Sequence, residues 1–315
     1  MYKSSMFLLA LIVSLFIWTG CGENGGKGGS MSLENTVDSA SYAIGMEMSR
    51  NFGNIGVTLN SDELKRGFDE LLAESAYMAG PDALQFINAF GIQVQIAMQR
   101  GERTVNLDSI NVSNDSLSYA IGVDLADRVK NIDLTMNSDA VKAGYDDRLA
   151  DTPKLDSASV VQQLNSLQTR MQQRMEQLRA EQGLKNKAEG MAFLKENGTQ
   201  EGVQTTASGL QYKVERAGTG NSPSADDVVV VHYEGRLLDG TKFDSSYERG
   251  TPAEFPVGGV IRGWTEALQL MKTGAKWQLY IPSDLAYGEM GSGNNIGPSA
   301  LLIFDVELLD IKEKE

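Results

Sequence analysis

The chain has 315 residues, 41% apolar and 22% charged, with 28 Lys+Arg against 42 Asp+Glu for a formal net charge of −14. That length and apolar content suit one to three globular domains and exclude a disordered chain, while the acidic balance repels a polyanion, so nucleic acid is excluded as a partner. One His, His232, and one Cys, Cys21, remove disulfide frameworks and His- or Cys-rich metal sites, so no metal and no cofactor are expected.

Residues 1–20 carry Lys3 and then an apolar run from Met6 to Trp18, ending in Thr19-Gly20 before Cys21. About 13 apolar residues are too few to span a bilayer, which takes about 20, but suit the core of a signal peptide. Small residues ahead of a single Cys resemble a bacterial lipobox, which implies cleavage after residue 20 and lipid on Cys21. Trp18 departs from the Leu usual three positions upstream of the Cys, and the competing reading is an ordinary secretory signal. Residues 21–33 follow as a tether with glycines at 22, 25, 26, 28 and 29, a stretch of flexible coil spanning roughly 15–18 Å.

Residues 36–72 align without a gap on 113–149, offset by 77, with 17 of 37 positions identical, among them Ser-Tyr-Ala-Ile-Gly and Asn-Ser-Asp. This is an internal repeat. In each copy apolar residues recur at helical spacing (Tyr42, Ile44, Met48, Phe52; Tyr119, Ile121, Leu125, Val129), and Asn60 or Ser61, and Asn137 or Ser138, supply caps for a second helix. Two short helices cannot bury an apolar face alone, so the copies are expected to pack on each other or on a second chain. Repeat 1 takes residues 34–110 and repeat 2 residues 111–200. A third helix follows each pair, short at about 81–100 and long at about 157–196, the latter with a stripe of Val160, Leu164, Leu167, Met171, Met175 and Leu178 read as core packing. Gly183 interrupts the long pattern as a bend or hinge, and Asn197-Gly198 stops it. The acidic pairs Asp146-Asp147 and Asp226-Asp227 read as solvated charge.

From residue 205 to 315 the texture changes to short strands broken by Gly and Pro, with one helix in Val-Ile-Arg-Gly-Trp-Thr-Glu-Ala-Leu-Gln-Leu-Met. The fold class is α+β: a duplicated all-α half with a long connecting helix, then an antiparallel β-sheet wrapped on one short helix. His232 alternates with Val231 and Tyr233 along its strand and so faces away from them, a structural position.

The segments Tyr-Glu-Gly-Arg-Leu, Gly-Thr-Lys-Phe-Asp-Ser-Ser, Val-Ile-Arg-Gly-Trp, Leu-Ala-Tyr-Gly and Leu-Ile-Phe-Asp-Val-Glu-Leu resemble, in order and spacing, the FK506-binding-protein (FKBP) type of peptidyl-prolyl cis/trans isomerase over about residues 205–313. The helical half is similar to the N-terminal domain of the macrophage infectivity potentiator (Mip) class of envelope FKBPs. The resemblance implies Trp264 as the floor of a proline pocket, with Tyr233, Phe243, Phe255, Val260, Ile261, Tyr287, Ile296 and Phe304 as walls. It makes Asp244, Tyr287 and Phe243 the catalytic residues and the Tyr287 hydroxyl a donor to the bound peptide's carbonyl. Ala253, where the family often has an aromatic residue, is expected to open one wall. The polar loop Gly291–Asn295 is expected to weaken contacts with an FK506- or rapamycin-type macrolide.

The resulting expectation is a lipid-anchored envelope isomerase acting on proline-containing unfolded or surface proteins, with clients gripped by the helical half. The duplication is expected to give a monomeric pseudo-dimer, a homodimer being the fallback. The competing class is a non-catalytic chaperone or proline-binding scaffold with an impaired pocket.

Overall fold

A computed structural model describes residue 33 and residues 35–312. The signal segment, Cys21 and the tether up to residue 32 lie outside the described residues. The chain divides into two compact units, one up to Met175 and one from Glu176.

In the first unit α1 (Thr36–Asn54), α2 (Ser61–Leu72) and α3 (Gly80–Gln99) belong to the first repeat, and α4 (Asn114–Asn131) and α5 (Ser138–Leu149) to the second. The long helix α6 (Ser157–Asn197) begins here. Asn60 and Asn137, rather than the serines after them, cap α2 and α5, each side-chain oxygen accepting backbone N–H groups of the first turn. Each copy packs on the other: α1 lies against α5, and α2 against α4.

The reason is written in the repeated Ser-Tyr-Ala-Ile-Gly. A Cβ on Gly45 would overlap the Val141 carbonyl, and a Cβ on its equivalent Gly122 would overlap the Leu64 carbonyl; Gly144 and Gly67 meet the backbones of Tyr42 and Tyr119 in the same way. Only glycine lets the helix backbones approach this closely. The polar contacts obey the same two-fold relation. The Tyr42 hydroxyl donates to Asp147 (2.8 Å) and accepts from the Lys154 N–H (2.8 Å), while the Tyr119 hydroxyl donates to Glu70 (2.6 Å) and accepts from the Tyr77 N–H (3.2 Å). The Asn60 and Asn137 N–H groups donate to Ser118 and Ser41. Every member of one set lies 77 residues from its counterpart. Asp147, expected to be solvated, is therefore an acceptor in the helix contact, where it also meets Lys154 at 3.5 Å.

Val160, Leu164 and Leu167 of α6 are buried in this core and Met171 packs against it, but Met175 is 48% exposed. The core stripe thus ends before the unit does. The division inside α6 at residue 175, rather than after residue 200, follows from a second stripe on the same helix, which packs within the second unit. Gly183 belongs to that stripe and lies inside the unbroken helix, so it marks a close approach to Pro298 and not a hinge.

The second unit is a seven-stranded antiparallel sheet ordered β1 (Val203–Thr205), β2 (Gln211–Arg216), β6 (Lys276–Ile281), β7 (Leu302–Lys312), β3 (Val228–Leu237) and β4 (Lys242–Ser245), with β5 (Ala253–Pro256) also paired to β3. Along β3, Val229, Val231 and Tyr233 are buried while their neighbours are less so, the period of two expected of a half-buried strand. The helix α7 (Arg262–Leu270) lays Trp264, Ala267 and Leu268 on the sheet's core. His232 turns the other way, its Nδ1 3.0 Å from Ser246 Oγ and its ring stacked on Tyr247.

Candidate functional site

A cavity of about 670 Å³ opens between β3, β4, β5, the start of α7 and the loop before β7. Its base is the indole of Trp264, 4% exposed. The rings of Tyr233, Phe255 and Phe304 stand on it at 88°, 88° and 82°, with centroids 5.3, 5.8 and 5.2 Å away, and Phe243 meets Phe304 edge-on at 5.5 Å. Edge-to-face packing of this kind fixes each ring by its neighbours and leaves a rigid apolar cup. The Trp264 Nε1–H is buried without a protein partner, a donor under the cup. Val260 and Ile261 line the cup as the chain enters α7.

Local structure aims each group inward. Tyr233 comes from the buried face of β3, and β5 lies antiparallel to β3 with Phe255 opposite Val229. Phe304, on β7, is opposite Gly235. Tyr287 follows the 3-10 turn Ser283–Leu285 and is 40% exposed at the rim. The Ser292 and Ile296 backbones exchange hydrogen bonds of 2.8 and 3.1 Å, closing the polar loop on itself and setting Ile296 in the wall.

One polar cluster faces the cup. The Tyr233 hydroxyl donates to Asp244, Arg249 forms an ion pair with Asp244, and a guanidinium N–H donates to the Tyr233 oxygen at 2.8 Å. Burial, reinforced by the hydrogen bond to Asp244, pushes the Tyr233 phenol above its ordinary value, so it stays a donor at neutral pH. Arg249 was not legible as a site residue. Its signal is its place five residues after Asp244, within reach of the turn that follows β4.

All ten residues expected at the site (Tyr233, Phe243, Asp244, Phe255, Val260, Ile261, Trp264, Tyr287, Ile296 and Phe304) line this one cavity, with Gly259 and the loop residues Ser292 to Asn295 besides. Ala253 does not line it. Ala253, on the same face of β5 as Phe255, packs against the sheet's apolar core and does not reach the cavity. Among the described residues no group of three His, Cys, Asp or Glu side chains is placed to hold a metal.

The family model for FKBP-type peptidyl-prolyl cis-trans isomerase matches residues 220–309, and that for the domain amino-terminal to it matches twice, at 37–108 and 114–214. The chain belongs to the FKBP-type peptidyl-prolyl cis-trans isomerases. It is 45% identical over 205 residues to a probable FKBP-type peptidyl-prolyl cis-trans isomerase FkpA of Neisseria meningitidis, covering 63% of this chain and 74% of that one. It is 39% identical over 222 residues to the outer membrane protein MIP of Legionella longbeachae, covering 69% and 94%. The crystal structure of FkpA from Escherichia coli superposes with a TM-score of 0.55 at 38% identity, over 64% of this chain and 97% of that one. The double match of the amino-terminal family model coincides with the 77-residue repeat.

As an FKBP-type isomerase the protein turns X-Pro bonds between cis and trans. The barrier of about 18–20 kcal/mol comes from amide conjugation, which is lost when the bond twists. No nucleophile is required, only a surface that favours the twisted state over the planar one.

Proposed function

We propose that this isomerase works with the cup on Trp264 as its proline site and that it is displayed on the cell envelope by lipid at Cys21. The observation that carries the site is the convergence of a closed aromatic base with a single polar cluster. The proline ring rests on Trp264 among Tyr233, Phe255 and Phe304. There the planar, polar amide has exchanged water for ring edges, while the twisted amide, with its weaker dipole, loses less by the same exchange. Asp244, held by Tyr233 and Arg249, faces the twisting carbonyl, and the Tyr287 hydroxyl donates to a carbonyl of the bound peptide. Phe243 and Phe304 shield that region from water, and Val260, Ile261 and Ile296 grip the chain on either side.

The substrates are proline-containing unfolded or surface proteins. Ser292 and Asn295 at the mouth reduce the apolar contact available to an FK506-type macrolide, so binding of that class is weakened rather than absent. The helical unit serves to hold clients, and the name of the Legionella relative, an outer membrane protein, is in keeping with an envelope location. No helix among the described residues is long and apolar enough to cross a membrane. The two-fold contacts inside one chain support a monomer in which each repeat serves as the other's partner. A light-scattering mass near that of one chain without residues 1–20 is expected, and a mass twice that would sink the monomer reading.

The decisive experiment is NMR exchange on a short Leu-Pro peptide with the full-length chain and its Trp264→Ala and Asp244→Ala variants. Catalysis that falls at least tenfold in both, with folded spectra, supports this site. Undiminished catalysis in both removes it.

A further inference from the structure

The part of α6 in the second unit carries a stripe outside the cup: Gly183, Asn186, Gly190, Phe193 and Asn197, spaced by three or four residues. Glycine costs a helix about 1 kcal/mol against alanine, so two of them seven residues apart call for a packing reason. A Cβ on Gly183 would stand 3.4 Å from Pro298, and one on Gly190 3.2 Å from Leu301, so the helix backbone lies directly on the segment between the polar loop and β7. Phe193 packs on Tyr280 with centroids 5.6 Å apart, and Asn197 donates to Gln211 at 2.9 Å.

Asn186 is the polar contact on that segment. Its Nδ2 donates to the Pro298 carbonyl at 2.7 Å, and its Oδ1 accepts from Gln182 at 2.7 Å, which fixes which end of the amide faces Pro298. The next residue, Ser299, is buried with φ 54°, a left-handed conformation costly for a non-glycine residue unless its surroundings hold it. The Ser299 N–H donates to the Gly288 carbonyl at 2.9 Å. Gly288 follows Tyr287, and Ile296 lies two residues before Pro298. One helix side chain therefore braces the segment carrying one wall residue and, through the next peptide, the turn carrying another.

We propose that Asn186 is a positioning residue for the isomerase cup, and that the Glu176–Asn197 half of α6 is a working part of the isomerase and not only a connector. The inference rests on the cup being the proline site. Misplacing Ile296 and Tyr287 weakens the grip on the peptide in its planar and twisted states alike, which raises KM; because the Tyr287 hydroxyl also meets the bound peptide's carbonyl, kcat falls by a smaller factor.

The test uses the full-length chain, with exchange rates measured across a range of Leu-Pro peptide concentrations. Asn186→Asp keeps the shape and the acceptor for Gln182 but loses the donor. It is expected to raise KM about two- to tenfold, the range for one lost hydrogen bond, with kcat within about twofold and the Ile296, Ser299 and Gly288 amide resonances displaced. Gln182→Ala, at an exposed position, is expected to shift KM and those resonances in the same direction by a smaller amount without endangering the fold. An unchanged KM with unmoved resonances in both variants, while Trp264→Ala still abolishes catalysis, overturns the inference and leaves the cup standing. Full activity in Trp264→Ala overturns the cup, and the inference with it.

Discussion

Alanine at Gly45 probes the pairing of the two repeats directly. The added Cβ would overlap the Val141 carbonyl and crowd the Tyr145 N–H of α5, and backbone atoms, unlike side-chain ends, cannot rotate away. Overpacking of this kind costs about 1–3 kcal/mol, and the rigid neighbours place this site near the upper end. The gain in helix propensity returns about 1 kcal/mol, so the net loss is about 2 kcal/mol, or a melting point lower by about 5–8 °C for a unit of this size. Gly122→Ala, 77 residues on, meets the Leu64 carbonyl and should cost the same. Gly53→Ala, near the end of the same α1, meets nothing within 4 Å and should stabilise by up to about 1 kcal/mol. Urea unfolding followed by far-ultraviolet circular dichroism reads the helical unit, while Trp264 and Trp277 fluorescence reads the other. The expected result is a lower dichroism midpoint in the first two variants, a raised one in the third, and little change in fluorescence. If Gly45→Ala stabilises the protein as Gly53→Ala does, α1 is not seated on α5 and the cross-packing is wrong.

Alkaline pH should destabilise the helical unit. Burial, with the hydrogen bond to Glu70, pushes Tyr119 up to about 12, and burial raises Tyr42 and Tyr145 as well. A phenol whose folded value lies above its unfolded one contributes stability that is whole below about pH 10 and is lost as pH climbs through the folded value. A dichroism titration should therefore show helix stability falling between about pH 10 and 12, and a flat profile would refute the role of these hydroxyls. Arg249→Ala should lower kcat/KM about three- to tenfold by freeing Asp244 and Tyr233, with Arg249→Lys recovering only part because a point charge cannot bridge both oxygens. Equal rates in Arg249→Ala and the parent chain, measured by peptide exchange, would show that the cluster's geometry is irrelevant to turnover.

Much of this protein was legible from residue order. The repeat, the capped starts of α2 and α5, the length of α6, the alternation along β3 and the aromatic cup are consequences of local spacing, propensity and recognisable motif order, which act between near neighbours in the chain. The ten cup residues could be named before the fold because their motifs keep fixed spacings along the sequence. Tertiary structure alone decided the rest. Periodicity shows that Tyr42 and Gly45 need a partner, but not that the partner is α5 of the other repeat, since many apolar faces would satisfy the same stripe. Asp147 looked like free charge because a carboxylate 105 residues from its tyrosine donor leaves no trace in local pattern. Arg249 and Asn186 were silent for the same physical reason. A single long polar side chain acquires its role only when folding brings an acceptor within hydrogen-bond reach, and that distance is set by the packing of whole elements.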